Sequence, residues 1–369
     1  MTRRSAMWLP GVIVPVVIGV GVFAVPLTAG ASVDLPDKTA AEVLELAQNA
    51  EVTAFSGTIE QSSDLGLPDL SSLGGVGGAS SGPAGSAASG TDVSSALELL
   101  TGSHTARVFV DGTDARLQVM DSLAERDVVA TPDGVWIYDS EAASATHAPA
   151  PTGGFDAKQA PDAADIPTPS AVADELLAKL DPSTTVSVGT DATVAGRTVY
   201  ELILTPRSSD TLVGSVSIDV DSATGLPIGV AVTAAGSDAP AFSLAFSELS
   251  LDAPDAALFD FTPPAGTTVT EQPLPDPDAF ADRGDVGTPE HDGAEPTVLG
   301  TGWSSIVEIA ASEVPTELAD SPLLDTAAEP VDGGRVISTT LLSVLFTDDG
   351  RILAGAVSPA ALEDAAAGR

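Results

Sequence analysis

Hydrophobic and polar residues follow a helical period near the start of the chain. In residues 39–51 the apolar positions fall three and four apart, which places them on one side of a helix. Thr39 is followed by Glu42, the spacing of a capping box in which each side chain bonds the other residue's backbone N–H. The pattern predicts a helix with one apolar stripe that packs on a sheet. The stripe consists of Val43, Leu46, Ala47 and Ala50.

Most of the following chain alternates between apolar and polar residues, which is typical of strands with one buried face. Asp111-Gly112 and Asp133-Gly134 separate two pairs of such runs, and Asp-Gly is a strong signal for a hairpin turn. Near Glu248 the alternation changes phase, which predicts a bulge or a bend. The predicted strands are 55–61, 105–111, 115–120, 125–130, 135–138, 185–195, 198–206, 212–220, 226–233 and 242–251.

Two further helices are predicted from their start signals. Thr168 before Pro169 indicates a helix that runs to about Leu180, and Ser358 before Pro359 indicates a short Ala-rich helix at the C-terminus. Between the acidic segment 272–295 and the C-terminus, strands are predicted at 304–310, 335–346 and 351–357. We interpret this end of the chain as a small α+β segment; the alternative is that its strands extend the main sheet.

Composition divides the chain into four parts. Residues 1–31 are a signal peptide or an N-terminal membrane anchor, and residues 32–271 are the main domain. Within that domain, residues 71–90 are rich in Gly and Ser and predict a flexible insertion, followed by a short helix that ends near Leu100. Residues 272–295 form an acidic linker, and residues 296–369 form the C-terminal segment.

The N-terminus has the order of an export signal. Arg3-Arg4 precedes 19 uncharged, largely apolar residues at 9–27, and Ala29-Gly30-Ala31 supplies a small-x-small cleavage site. The alternative is an uncleaved transmembrane anchor, because the apolar run approaches the length of a membrane span. Either way the body of the protein is expected outside the cytoplasm, in the cell envelope or secreted.

The charge and the residue types exclude several classes of partner and site. The formal net charge is −39, from 53 acidic and 14 basic residues, and such a surface repels nucleic acid. The chain has no cysteine, which excludes disulfides, thiol catalysis and a lipid-modified N-terminal cysteine. Aromatic residues make up only 4% of the chain, so the core must consist mainly of aliphatic side chains.

No motif for catalysis or cofactor binding stands out. His104 is expected just after a helix end and His147 and His291 in loops, and none has a second histidine at metal-ligand spacing. Nucleophile-elbow, dinucleotide-binding and Walker motifs are absent from the sequence. Asp219-x-Asp221 and Asp276-x-Asp278 resemble the start of a calcium loop but lack its glycine and distal glutamate. We therefore predict no catalytic residue, no metal and no cofactor.

The segment from Phe259 to Val269 reads Phe-x-Phe-x-Pro-Pro-x-Gly-x-x-Val. Two aromatic residues two apart lie on the same face of an extended strand. Pro263-Pro264 cannot donate to a strand ladder, and Gly266 frees the backbone to reverse. The pattern predicts a strand that contains Phe259 and Phe261 and ends at the prolines.

This pattern resembles the closing strand of the periplasmic lipoprotein-carrier (LolA-type) superfamily. The Gly-Val-Trp-Ile-Tyr-Asp run within 133–139 and the turn at 221–227 resemble the same superfamily, so that the resemblance covers about residues 34–271. It implies an α+β fold: a strongly curved antiparallel β-sheet, or half-barrel, whose concave face is covered by helices around an apolar cavity. A LolA-like domain followed by a small second domain is similar to the RseB/MucB-type anti-sigma regulators.

The first functional hypothesis is an exported, monomeric, non-enzymatic protein that binds or carries lipid or lipoprotein acyl chains. It predicts a cavity of several hundred Å³, the usual size of a ligand pocket. An acyl chain in such a cavity gains ~0.8 kcal/mol for each methylene that it buries. Trp136 and Tyr138 are expected at its rim, since each joins an apolar ring to a polar group. The predicted lining is Val108, Val110, Leu117, Trp136, Tyr138, Leu202, Leu204, Ile218, Val230, Phe242 and Phe246.

Two alternatives remain open at this stage. In the first, the protein is an envelope regulatory module of the RseB type, and residues 296–369 bind a membrane protein partner. In the second, the sheet is a scaffold without a ligand. Each predicted lining residue could also be an ordinary core residue packed beneath a helix.

Overall fold

The computed structural model describes residues 35–66, 102–120, 125–150, 168–178, 180, 182–272, 297–312 and 328–368. The predicted signal or anchor segment, the Gly/Ser insertion, the short helix after it and nearly all of the acidic linker lie outside these residues. Within them, no helix combines the length and the apolar character needed to cross a membrane.

The described part of the chain contains one large, curved, unclosed sheet of 13 strands, which confirms the predicted half-barrel. Its order along the hydrogen-bonded path is β13-β6-β5-β4-β3-β2-β1-β12-β11-β10-β9-β7, and β8 pairs with β9 beside this path. The strands are β1 Ala54–Ser63, β2 Gly102–Asp111, β3 Asp114–Met120, β4 Glu125–Thr131, β5 Gly134–Asp139, β6 Ser144–Pro149, β7 Thr184–Val188, β8 Ala192–Val194, β9 Arg197–Pro206, β10 Val213–Asp221, β11 Pro227–Ala234, β12 Pro240–Ser250 and β13 Thr268–Glu271.

The strand pattern of the main sheet differs from the prediction in three places, one of which is β13, a strand that was not predicted. The predicted strand 185–195 is divided into β7 and β8, and Gly189 in the gap lies against Glu201: a Cβ there would meet a carboxylate oxygen at 2.0 Å. Strand β6 was not predicted, because its sequence Ser-Ala-Thr-His-Ala-Pro carries no large apolar residue. The predicted bulge near Glu248 is confirmed, since the β1–β12 register shifts between Thr58 and Ile59.

Helices α1 (Ala40–Gln48) and α2 (Pro169–Ala178) pack on one face of the sheet. The capping box of α1 is confirmed: the backbone N–H of Thr39 donates to Glu42 Oε2 at 2.8 Å, and Glu42 N donates to Thr39 Oγ1. Thr168 Oγ1 accepts from the N–H of Ala171 at 3.1 Å at the start of α2. The main contacts of α1 are with β7, β9 and β10, and those of α2 are with β11 and β12.

The predicted strand through Phe259 and Phe261 is wrong. Asp255 caps a single 3-10 turn, Ala256–Leu258, by accepting from the N–H of Ala257, and Phe259 follows it in a helical conformation. The chain then crosses the outer face of the sheet without forming a strand until Thr268. There β13 joins the sheet edge parallel to β6, whereas the other pairs recorded in this sheet are antiparallel.

We call residues 253–267 the strap, because they cross the sheet on the face opposite the helices. Phe259 is 6% exposed, and Phe261 lies 5.5 Å from the Trp136 ring and 5.6 Å from the Tyr138 ring. Arg116 of β3 donates from Nη1 to the carbonyl oxygen of Leu258 at 2.9 Å. Phe261 therefore contributes aromatic packing and Phe259 a buried ring, and neither contributes strand pairing.

The C-terminal strands form a separate six-stranded sheet in the described residues, so the alternative in which they extend the main sheet is wrong. The predicted run 335–346 is two strands, because Thr339 Oγ1 accepts from the N–H groups of Leu341 and Leu342 and makes a turn. The elements are β14 Thr297–Leu299, β15 Ile306–Ile309, β16 Glu329–Val331, β17 Gly334–Ser338, β18 Ser343–Thr347, β19 Ile352–Gly355 and helix α3 Pro359–Ala366.

Contacts at several places join the two sheets, and one of them is the hydrogen bond from the N–H of Thr340 to the carbonyl oxygen of Leu65 at 3.0 Å. Thr211 Oγ1 and the N–H of Leu212 both donate to the carbonyl oxygen of Ala356 at 2.8 Å. Trp303 Nε1 donates to Thr184 Oγ1 at 2.9 Å. Leu341, in the turn between β17 and β18, packs against both core clusters of the main sheet. The predicted division into domains at 32–271 and 296–369 stays a prediction.

The strap supplies a test of the fold. Phe259→Ala is expected to lower the free energy of unfolding by about 3 kcal/mol, because it removes a buried ring and leaves a cavity over β3–β5. Urea unfolding of the purified protein measures the change. Val298→Ala, at a position that is 60% exposed, is the control and should stay within about 0.5 kcal/mol of the wild type. An equally small effect of Phe259→Ala would mean that the strap does not stabilise the sheet.

Candidate functional site

The strand register assigns each predicted lining residue to one face of the sheet. Leu202, Ile218, Val230 and Leu244 are directly paired across four neighbouring strands, and Gln61 and His104 continue the same row on β1 and β2. A second row runs from Val108 through Leu117. Nine of the eleven predicted residues lie on this helix-covered face: Val108, Val110, Leu117, Leu202, Leu204, Ile218, Val230, Phe242 and Phe246.

Eight of these nine residues are packed in the core, with exposures from 0% to 7%. Leu202, Leu204, Ile218 and Val230 lie beneath the two helices with Val43, Ala47, Ala173 and Leu177. Val108, Val110, Phe242 and Phe246 belong to the neighbouring cluster, and Leu117 packs against it while partly exposed. Their burial is what ordinary core packing requires, so ligand contact by these residues stays a prediction.

Trp136 and Tyr138 lie on the opposite face, beneath the strap. Trp136 is paired with Val129 and Tyr138 with Asp127, whereas the residue between them, Ile137, pairs with Val128 on the helix side. The Trp136 ring stacks on the His147 ring with centroids 4.1 Å apart and planes 13° apart. The structure therefore does not bring these two aromatic residues together with the other nine.

An apolar row on the helix-side face continues beyond the main contacts of the helices. Leu117, Val128 and Ile137 are directly paired on β3, β4 and β5, and Ile137 is 53% exposed. Val119 and Val135 lie on the same face and are partly exposed. We call these five residues the aliphatic strip. The prediction named only Leu117; the alternation along β4 and β5 carried the signal for Val128 and Ile137.

His104 lies within β2, and the helix that was expected to end before it lies outside the described residues. Both ring nitrogens are buried without a hydrogen-bond partner, beside Gln61 on the neighbouring strand. Burial lowers the pKa of His104 to about 3. The imidazole is therefore neutral at physiological pH, with one N–H donor and one acceptor nitrogen inside an apolar face.

The expectation for His147 also changes. It lies in β6 rather than in a loop, and its Nδ1 is 3.1 Å from a carboxylate oxygen of Glu271 on β13. The histidine therefore joins β13 to the sheet edge and stacks on Trp136. His291 lies outside the described residues.

The candidate calcium pair at Asp219 and Asp221 is not a calcium loop. Both residues are in β10, and both oxygens of Asp221 are occupied. Arg197 donates from Nε and Nη2 at 2.8 and 2.9 Å, and Thr224 donates from its N–H and Oγ1 at 2.9 and 2.6 Å. Within the described ranges, no three His, Cys, Asp or Glu residues lie close enough to hold a metal ion. Asp276 and Asp278 lie outside those ranges.

Asp219 and Glu201 are paired across β10 and β9 on the face opposite the helices. Gly229 on the next strand makes room for the Asp219 carboxylate, because a Cβ there would meet Oδ2 at 2.6 Å. Burial and the repulsion of Glu201 raise the pKa of Asp219 to about 6. A carboxylate pair with one raised pKa resembles an acid/base pair, but the groove described below is not lined by either residue.

Comparisons with solved structures return the two classes that the sequence motifs resemble. MucB of Pseudomonas aeruginosa, from its complex with MucA, is 15% identical, with 88% of this chain and 95% of that chain covered and a TM-score of 0.41. A LolA superfamily protein from Nitrosomonas europaea is 10% identical, with 61% and 99% covered and a TM-score of 0.24. A putative outer membrane lipoprotein-sorting protein domain from Vibrio parahaemolyticus is 12% identical, with 57% and 92% covered and a TM-score of 0.18.

MucB-type and LolA-type proteins are thus among the solved structures to which this chain is similar. A scan against protein-family models and a search of curated proteins found no match.

The carboxylate pair supplies a prediction of pH dependence. The pKa of Asp219 is raised above its unfolded value of 3.8, so the folded protein holds this proton more tightly and loses stability as pH rises from about 4 to about 6. Asp219→Asn removes this loss and should raise the free energy of unfolding at pH 7.5 by about 2 kcal/mol. Urea unfolding at several pH values between 3.5 and 7.5 tests the change.

Asp221→Asn, two residues along the same strand, is the matched control with the opposite sign. Burial alone would raise the pKa of Asp221, but hydrogen bonds from Arg197 and Thr224 outweigh burial and lower it. This substitution should therefore destabilise the protein at pH 7.5. Equal destabilisation by both substitutions would contradict a raised pKa for Asp219.

Proposed function

We propose that this protein is an exported, non-enzymatic, LolA-like protein that binds or carries lipid or lipoprotein acyl chains on the helix-side face of its sheet. The observation that carries the proposal is the aliphatic strip. Its residues lie on the same face as the apolar core, continue the core's rows without interruption, and end at Ile137, which is 53% exposed. A continuous, partly exposed apolar surface of this kind is a candidate binding surface.

The strip suits an acyl chain better than a polar ligand. Aliphatic side chains on three neighbouring strands give a surface about 10 Å wide across the strands, which is enough to cover one side of an extended chain. Each methylene removed from water contributes ~0.8 kcal/mol, so a ten-carbon chain gains several kcal/mol from burial alone. Leu117 is the member of the predicted lining that belongs to this surface.

His104 supplies a polar group at the edge of the same face. Its row adjoins that of Phe246, Ile59, Ala106 and Val119, and the last of these belongs to the strip. A neutral imidazole can donate to an ester or amide carbonyl and accept from a hydroxyl, and those are the groups at the head of an acyl chain. We assign His104 as the polar contact of the bound ligand.

The proposed location is outside the cytoplasm, at the cell envelope or secreted. It rests on the order of basic, apolar and small residues in 1–31. The net charge of −39 keeps the protein away from anionic lipid surfaces and from other copies of itself, which agrees with a monomeric carrier.

A second candidate function is an envelope regulator of the RseB type, acting through a membrane protein partner bound to the C-terminal segment. The observation that favours it is the position of Leu341, which packs against both core clusters of the main sheet. A ligand that moved either cluster would move this turn and the sheet that carries it. The solved MucB structures include complexes with MucA, a protein partner.

Native mass spectrometry of the protein isolated gently from its own cell envelope separates the two candidates. A mature chain that begins near Ser32 and carries a lipid-sized adduct supports the carrier. A lipid-free chain bound stoichiometrically to one membrane protein supports the regulator. A chain with neither would remove the reason to prefer either candidate over a scaffold.

A charged side chain in the strip should prevent acyl binding. Ile137→Lys is expected to weaken the binding of decanoyl glycerol, a neutral single-chain amphiphile, about tenfold, because an ammonium group then lies where the chain packs. Isothermal titration calorimetry below the micellar concentration measures the effect.

Met120→Lys is the matched control. Met120 is 39% exposed in β3, and its position in the alternation places it on the opposite face from Leu117. The Met120→Lys variant should bind decanoyl glycerol with the affinity of the wild type. If both variants bind as the wild type does, the strip is not the acyl site.

A further inference from the structure

A groove with a volume of about 640 Å³ lies on the outer face of the main sheet, opposite the helices and away from the aliphatic strip. It is formed where β2, β1 and β12 run side by side and is lined by backbone and side chains of residues 56–58 and 247–250. Arg107 and Phe109 of β2 and Ala195 of the β8–β9 turn complete it. Neither the predicted lining residues nor the strip contribute to it.

The bulge in β12 creates this groove. Thr58 pairs with Glu248 and Ile59 pairs with Phe246, so Ser247 is the extra residue. Gly57 lies beneath the bulge, where a Cβ would meet the carbonyl oxygen of Glu248 at 2.3 Å. A glycine at this position lets the two backbones approach closely, and bulges often re-aim side chains at functional sites.

Two opposite charges face the groove in a single cross-strand row. Thr58 pairs with Arg107 on one side and with Glu248 on the other, so the two charged residues are separated by two strand spacings, about 10 Å between backbones. The hydroxyl of Thr58 donates to Glu248 Oε2 at 3.3 Å. No ion pair joins Arg107 to Glu248 in the structure, since they lie beyond ion-pair distance.

Arg107 has no recorded carboxylate partner in a chain where acids outnumber bases by 53 to 14. Four arginines of the described residues bond carboxylates, whereas Arg207, an exposed arginine outside the groove, has no recorded ion pair either. Arg107 is exposed at the groove and makes no recorded ion pair with another described residue. The paired arginines are Arg116, Arg126, Arg197 and Arg351.

An aromatic ring and two hydroxyls occupy the next row of the groove. Ser56 pairs with Phe109 on β2 and with Ser250 on β12. Phe109 therefore lies beside Arg107 at the same wall, two residues along the strand. The groove thus offers a cation, an anion, an aromatic ring and hydroxyl groups within the reach of one small molecule.

We propose that this groove binds a small zwitterion of the phosphocholine or phosphoethanolamine type. The phosphate bonds the Arg107 guanidinium, and the ammonium group lies near the Glu248 carboxylate and over the Phe109 ring. The ammonium group offsets one negative charge of the phosphate, so the net charge of −39 repels this ligand less than it repels a simple phosphate anion. A simple cation would be attracted to acidic groups over the whole surface and would not need Arg107.

Calorimetric titration of the full chain with phosphocholine tests the proposal. Saturable binding is expected, and Arg107→Gln and Glu248→Gln should each weaken it about tenfold, the effect of losing one charge-assisted contact. Arg207→Gln is the matched control, because Arg207 is an exposed arginine outside the groove, and it should change affinity less than about twofold. Choline alone and inorganic phosphate alone should bind at least about tenfold more weakly.

The double variant Arg107→Glu with Glu248→Arg distinguishes a polar groove from a general loss of fold. It keeps both charges in reversed order, so it should bind phosphocholine more tightly than either single Gln variant. Ile137→Lys should leave phosphocholine binding unchanged, which separates this site from the proposed acyl site.

Binding to lipid vesicles shows whether the ligand is a lipid headgroup or a free zwitterion. Arg107-dependent binding to phosphatidylcholine vesicles, without binding to phosphatidylglycerol vesicles, identifies a lipid headgroup; binding of soluble phosphocholine alone identifies a free zwitterion. The proposal is overturned if phosphocholine does not bind saturably. It is also overturned if inorganic phosphate binds as tightly, or if Arg107→Gln and Glu248→Gln behave like Arg207→Gln.

Discussion

The pairing of β1 with both β2 and β12 is the constraint on which the rest of the main sheet depends. β1 is the first strand of the sheet in sequence. In the sheet, however, it lies between β2–β6 on one side and β7–β12 on the other. Because side chains alternate strictly along a strand, its register fixes which face every other strand presents to the helices. The rows through Ile59 and Gln61 on one face, and through Ser56 and Thr58 on the other, follow from this one strand.

The two faces then differ in what covers them. Helices α1 and α2 make their main contacts with β7 and β9–β12, so the core is densest there, while the apolar rows continue onto β3–β5 and end at an exposed isoleucine. On the other face the strap covers the aromatic residues of β5 and β6, and the bulge opposite Thr58 opens the polar groove. An acyl chain and a zwitterionic headgroup are chemically different parts of one kind of molecule, and the proposed sites for them lie on opposite faces.

Much of the fold could be predicted because its signals are local. Asp-Gly turns, the Thr39 capping box and the Thr168-Pro169 helix start each depend on residues within a few positions, and each is confirmed. The strap could not be predicted in this way. Phe259 and Phe261 have strand spacing, but a capped turn at Asp255 and contacts with Trp136, Tyr138 and Arg116, more than 100 residues away in the chain, decide their conformation. His104 shows the same limit, since nothing near it in sequence indicates that both its nitrogens become buried.

By itself, the sequence determined most of the element types, the antiparallel hairpins, the bulge near Glu248 and the acidic charge, because alternation, turn chemistry and charge are properties of short segments. The curvature of the sheet was implied by the resemblance to LolA-type proteins and not by these local patterns. Only the tertiary structure decided which apolar residues are covered. Nine predicted lining residues share one face and two lie on the other. The face of each side chain depends on the register between paired strands, and those strands come from distant segments of the chain. Whether an apolar side chain is core or binding surface depends on where the helices end, and that is a relation between elements that no single segment encodes.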